Sequence, residues 1–279
     1  MPPAARRVRV RTYDPARSRA ALTGQAEALR TAVHRLCAHA DADDLLAGPT
    51  RLGEWRVREL VAHLGSVFDA VTDNLGLPAG DGAPLSPTDW VSATRGGAPD
   101  IAAAAGQRTG QAFAGTPAQV SAALGAAIDR CLAVLADDHA PGLLIPTCFG
   151  PMLLSDHLVT RLVETVVHAD DLADATAPGS EFPHDRQALA ACTRLLADAL
   201  AVQAPGGAVE LRVPPFAVVQ CVEGPRHTRG TPPNVVETSP LTWIRLATGR
   251  LEWARALDVA QLTASGERSD LSRLLPVMG

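Results

Sequence analysis

The chain contains no lysine; its 25 basic side chains are all arginine. Schiff-base chemistry on a lysine and a lysine-bearing phosphate loop are thereby excluded. Aromatic residues are scarce, with four Trp, one Tyr and five Phe in 279 residues, and the net charge is −5. Without a basic surface interleaved with aromatics, nucleic acid is not an expected partner. The five cysteines (Cys37, Cys131, Cys148, Cys192 and Cys221) form no CxxC pair and are odd in number, which suits neither a disulfide framework nor a Cys-ligated zinc. They read as reduced core residues. No apolar run approaches the roughly 20 residues of a membrane span, because Gly, Pro or charge interrupts the alanine-rich stretches. The opening MPPAARRVRVRTYDPARSR is basic but is followed by no apolar h-region, so the expectation is a cytoplasmic protein with a short frayed leader and no membrane partner.

The apolar residues that remain are periodic. Leu22, Ala26, Leu29, Val33, Leu36, Cys37 and Ala40 predict a first amphipathic helix over 18–40. Val57, Leu60, Val61, Leu64, Phe68, Val71 and Leu75 predict a second that stops at Gly76. Residues 77–116 show no sustained period and read as a long irregular connection, with part of 99–113 open to helix. A third helix starts behind Thr116 and Pro117, and a fourth begins near Ser155 and carries Leu158, Leu162, Val163, Val166, Ala169 and Leu172. Four such helices predict a four-helix bundle over 15–178. The segment APGSEFPHD marks a boundary. Beyond it, a helix over 185–202, strand-like runs at 208–213, 217–222, 234–238 and 262–265, and a helix capped by Ser239 and ended by Gly249 predict an α+β domain over 181–279.

Glu164 and His168 stand four apart on the fourth helix and therefore share a face. With Leu158 as origin, the apolar stripe covers roughly 0–140°, and His157, Arg161, Glu164, His168 and Asp171 lie at roughly 220–300°. This second face is either solvated, with Arg161–Glu164 and Glu164–His168 pairs, or it presents two arms of a metal site needing a third ligand from elsewhere. His63, at the edge of the Leu60/Leu64/Phe68 stripe, is either a hydrogen-bonded core histidine or that third ligand. His34, His39, His139 and His184 show no partner pattern and read as structural. His157, about 10 Å from Glu164 along the axis, is too far to share an ion with it.

The segment Gly53-Glu-Trp-Arg-Val-Arg-Glu-Leu-Val-Ala-His63-Leu, followed by Glu164-Thr-Val-Val-His168-Ala-Asp-Asp171, resembles the mycothiol-dependent maleylpyruvate isomerase family, whose N-terminal domain is a DinB-like four-helix bundle. The stretch from Val209 through Arg226–Glu237 and Pro240–Arg250 resembles the bacterial sterol-carrier-like domain appended to such bundles. The resemblance implies a zinc held by His63, Glu164 and His168, with an open position for mycothiol. The metal-held thiolate would add to a cis double bond, and rotation and elimination would return the trans isomer. It also implies an arginine of the second domain for a substrate carboxylate, matched best by Arg250, whose simpler role is to cap the Ser239 helix. Asp171 either orients a ligand or is an exposed acid. The Arg226–Glu237 loop is longer and more charged than the isomerase pattern; Arg229 and Asn234 either shape a pocket or brace the domains.

The leading expectation is thus a zinc- and mycothiol-dependent isomerase or transferase acting on a small electrophilic carboxylate, with small-molecule substrate and thiol as partners, in a monomer or homodimer. Two alternatives stand beside it. One is a sterol-carrier-like binding protein with an apolar cleft lined by Trp243, Leu246 and Trp253. The other is a zinc hydrolase using metal-bound hydroxide.

Overall fold

A computed structural model of the chain describes residues 11–94, 113–140, 142–225 and 232–279. They divide into two compact units. One holds residues 13–191; the other holds 192–279 together with Arg11 and Thr12.

The first unit is built on four long helices, α1 (Pro15–Cys37), α3 (Val57–Asn74), α5 (Pro117–Leu135) and α6 (Leu154–Thr176), with the short α2 (Ala42–Ala47) after α1. The starts of α1 and α5 are written locally. Asp14 Oδ1 accepts the Arg17 amide at 2.8 Å ahead of Pro15, and Thr116 and Gln119 cap each other's amides ahead of Pro117, which satisfies amides the helices themselves leave unpaired. Gly76, at φ 85°, follows α3 at the position where left-handed backbone ends a helix. In the bundle α1 packs on α5 and α6, and α3 packs on the same two. Leu22, Leu29, Leu60, Leu64, Phe68, Leu124, Ile128 and Leu158 fill the interior, each contributing roughly 1.5–3 kcal/mol by burial. Helix α5, though 19 residues long and apolar enough in composition to cross a membrane, is one of these packed bundle helices.

Two expectations for this half need correction. The 77–116 connection is not irregular throughout: α4 is helical over 87–94. Ser86 Oγ accepts the Asp89 amide at 3.2 Å and Asp89 Oδ2 accepts the Ser86 amide at 3.0 Å, and Trp90 and Val91 are buried. Residues 99–112 of the segment considered for helix lie outside the described residues. The first half also contains strands. β1 (Leu144–Ile145) and β2 (Met152–Leu153) form a two-residue antiparallel ladder that feeds directly into α6; two residues are too few to reveal alternation.

Helix α7 (Arg186–Gln203) begins in the first unit and ends in the second. The second unit carries a four-stranded sheet of order β4–β3–β5–β6, from β3 (Val209–Val213), β4 (Ala217–Cys221), β5 (Val235–Thr238) and β6 (Leu262–Ser265). β3 pairs antiparallel with β4 and parallel with β5, and β6 runs antiparallel to β5. Val209, Leu211 and Val213 of β3 face inward, the alternation expected of a half-buried strand. Helix α8 (Pro240–Ala247), capped by Ser239 Oγ on the Thr242 amide, buries Trp243, Ile244 and Leu246. Trp243 and Leu246 are thus core residues rather than the lining of an open cleft. The short α9 (Trp253–Asp258) was not foreseen. Asn234 spans Ala208 O at 2.8 Å and the Arg268 amide at 3.0 Å, so it braces its own unit. Arg226, His227 and Arg229 lie outside the described residues. The fold is a mixed one, a helical bundle followed by an α+β unit.

Candidate metal centre

His63 on α3 and Glu164 and His168 on α6 meet inside the bundle, with one ligand atom from each within 4.8 Å of the others. His63 Nε2 and His168 Nε2 each stand 3.3 Å from the same oxygen, Glu164 Oε2. The two imidazoles meet edge to face at 4.6 Å. The face that could have been solvated is buried: Glu164 is 6% exposed, His63 7% and Asp171 0%. Because α6 packs against both α1 and α3, its second face meets protein rather than water. The Arg161–Glu164 surface pair of the solvated reading is absent from the ion pairs among the described residues.

Asp171 is not an exposed acid. Its Oδ2 lies 2.9 Å from His168 Nδ1 and its Oδ1 accepts from Arg51 Nε at 2.6 Å. Arg51 Nη2 donates to Asp170 Oδ2, also at 2.6 Å. Arg51 is held by a folded loop in which the Thr50 amide and Thr50 Oγ1 both donate to Trp55 O, the Val57 amide donates to Gly48 O, and Gly53 turns at φ 64°. The same loop sets the Trp55 ring 5.1 Å from His63 and 6.4 Å from His168. Arg51 and Asp170 carried no signal in the sequence, since they come together only through the fold.

The electrostatics follow from this packing. Burial alone would raise the Glu164 carboxyl, but bonds from His168 and His63 outweigh it and hold the group well below the ordinary carboxylate range. Burial pushes His63 down, with His168 acting in the same sense against Glu164. Burial would also lower His168, but Asp171 and Glu164 overcome it and raise the imidazole.

Arg250, in the second unit, follows α8. Its amide donates to Arg245 O at 2.7 Å and the Gly249 amide to Leu246 O at 3.3 Å, with Gly249 at φ 72°. This is a Schellman end, and Arg250 Nη1 donates to Thr248 O at 2.7 Å. None of the five cysteines forms a disulfide; Cys131, Cys192 and Cys221 are buried, whereas Cys148 is exposed, so the reading of all five as core residues fails there.

A helical bundle with a buried His/Glu/His cluster, followed by a sheet-bearing unit, defines the class. A family model described as the mycothiol maleylpyruvate isomerase N-terminal domain matches residues 26–173, and one described as a bacterial SCP ortholog matches 185–277. The first match covers more than half of the chain, and the chain belongs to that family. Two solved structures of mycothiol-dependent maleylpyruvate isomerase, one a histidine-to-alanine mutant, share the fold. Each has a TM-score of 0.55 over 89% of this chain and 92% of its own, at 14% and 15% identity. A search of the curated proteins finds no match.

Proposed function

We propose that the chain is a zinc-dependent enzyme that uses a low-molecular-weight thiol, mycothiol, to isomerise or transfer to a small electrophilic carboxylate, as the names of its family and structural relatives suggest. The observation that carries the metal assignment is one carboxylate oxygen flanked by two imidazole nitrogens at 3.3 Å. Zn–N and Zn–O bonds of about 2.0–2.1 Å at tetrahedral angles put neighbouring ligand atoms roughly 3.3–3.4 Å apart. The histidine tautomer supports the same fit: with Nδ1–H donated to Asp171, neutral His168 turns the Nε2 lone pair toward the Glu164 carboxylate, an arrangement that a proton or a cation relieves.

His63, Glu164 and His168 would hold a zinc, which when bound would favour the thiolate, the nucleophilic form of a thiol. The chain's own residues do the rest. Asp171 fixes the His168 tautomer, Arg51 holds Asp170 and Asp171 in place, and Trp55 covers the two imidazoles. Arg250 is the guanidinium that the resemblance offers from the second unit for a substrate carboxylate, a role suited to a planar fork that does not titrate near neutral pH. The five thiols, none in a disulfide, fit a reducing, cytoplasmic setting.

Elemental analysis of the purified chain tests the reading. One zinc per chain is expected, and His168→Ala should lose most of it, because two remaining ligands make a weak site. Zinc content unchanged by that substitution would remove the assignment.

A further inference from the structure

Three residues before Glu164 on α6, Arg161 lies with its guanidinium carbon 5.8 Å from the centroid of the Trp90 ring on α4. Among the described residues its only hydrogen bond runs from Nε to Thr160 Oγ1, at 3.2 Å. Among the described residues neither Nη group has a protein acceptor, and Glu164, the acid nearest along the helix, directs Oε2 at the two imidazoles. Burial disfavours the charge of Arg161. Arg161 is only partly buried and Glu164 acts on it through space alone, so its fork stays open to an added anion.

One turn earlier on the same face, His157 is 3% exposed, and its Nε2 has no partner among the described residues. Burial, and next Arg161, hold it neutral, so it keeps one ring N–H and can donate it. The unpartnered His157 Nε2 and the open Arg161 fork, at i and i+4 on one face of α6, together offer donors to an anion.

We infer that Arg161 and His157 form a carboxylate subsite, in which the Arg161 fork takes one carboxylate of the substrate through paired N–H bonds and His157 Nε2–H adds a neutral donor. The inference rests on the metal-centred function proposed above and narrows its substrate. What the subsite selects is a small molecule bearing at least one carboxylate.

Maleate, a short cis-unsaturated dicarboxylate, is the probe. It is titrated into the full chain, zinc-loaded and chelator-treated, and followed by calorimetry and tryptophan fluorescence, with zinc content measured in every sample. The wild-type chain is expected to bind maleate saturably in both forms. Arg161→Gln should weaken that binding about tenfold or more, the loss of a charge-assisted pair, with zinc content retained. Arg161→Lys, which keeps charge but not the fork, should fall between them. If Arg161→Gln does not fold, Arg161→Lys and His157→Gln carry the test, each with a smaller loss. Unaltered affinity in the folded variants, or no saturable binding by the wild type, overturns the subsite. Arg161-dependent maleate binding in a chain that takes up no zinc upholds the subsite while removing the metal function; zinc uptake with Arg161-independent binding does the reverse.

Discussion

At the scale of single residues, a chain of charge runs through the bundle: Glu164 to His168, His168 to Asp171, Asp171 to Arg51 and Arg51 to Asp170. Each acid finds a donor, which is how carboxylates stand 0–6% exposed without unpaired charge. His157 is the exception, because it is kept neutral by burial rather than by a partner. Its linkage has a definite sign. The folded value is depressed below the ordinary imidazole value, so as pH falls through about 6.5 the unfolded chain gains a proton that the folded chain refuses. Stability should therefore decline on acidification from pH 7.5 to 5.5, with a contribution from this one group that approaches about 1.4 kcal/mol per pH unit. Denaturant melts of the wild type and His157→Gln across that range check it; a slope that is the same in both would show His157 to be silent. The i, i+4 spacing of Glu164 and His168 was legible in the sequence, and so was a histidine placed to join them. Their burial was not, since a helical projection shows where a side chain points on its helix and says nothing of what packs there. For the same reason Arg161 read as one half of a surface pair, and Arg51, some 120 residues from its acids, left no trace.

At the scale of elements, what could be read ahead of the structure were segments long enough to repeat a period. α1, α3, α5 and α6, with β3, β4, β5 and β6, fall within a few residues of the stripes and runs that predict them. The misses are short. α4 was hidden in a Gly- and Pro-rich stretch, although Ser86-Pro-Thr-Asp89 is a capping signal with proline at the first helical position. The β1–β2 ladder has two residues per strand and no alternation to detect. One turn in the second unit makes a sharp prediction. Gly206, at φ 154°, lies where a Cβ would collide with the Val222 carbonyl and approach the Glu223 amide, both backbone groups. The adjoining Gly207 and Ala208 amides donate to Gly224 O and Val222 O, extending the β3–β4 pairing. Gly206→Ala forces that backbone apart, and it should lower the stability of the second unit by about 1–3 kcal/mol. Chemical denaturation measures this, and an unchanged midpoint would mean the turn yields at no cost.

For the whole molecule, the His63/Glu164/His168 cluster joins chain segments about a hundred residues apart, since His63 lies on α3 and its two companions on α6. An ion that binds these groups only when they are assembled stabilises the folded state by mass action. At zinc a hundredfold above its dissociation constant the gain is about 2.7 kcal/mol, so adding zinc to chelator-treated protein should raise the melting temperature by several degrees, and His168→Ala should abolish most of that rise. Differential scanning calorimetry with and without zinc decides it; an equal rise in His168→Ala would place the stabilising metal elsewhere. His157, Arg161, Glu164, His168 and Asp171 are mounted on one rod and keep their mutual spacing for as long as α6 stays helical. The bundle is in that sense a pair of calipers, α6 the graduated jaw and α3 the sliding one. Substitutions at the α3–α6 seam that touch none of these groups would still change the gap, and with it the grip on the ion.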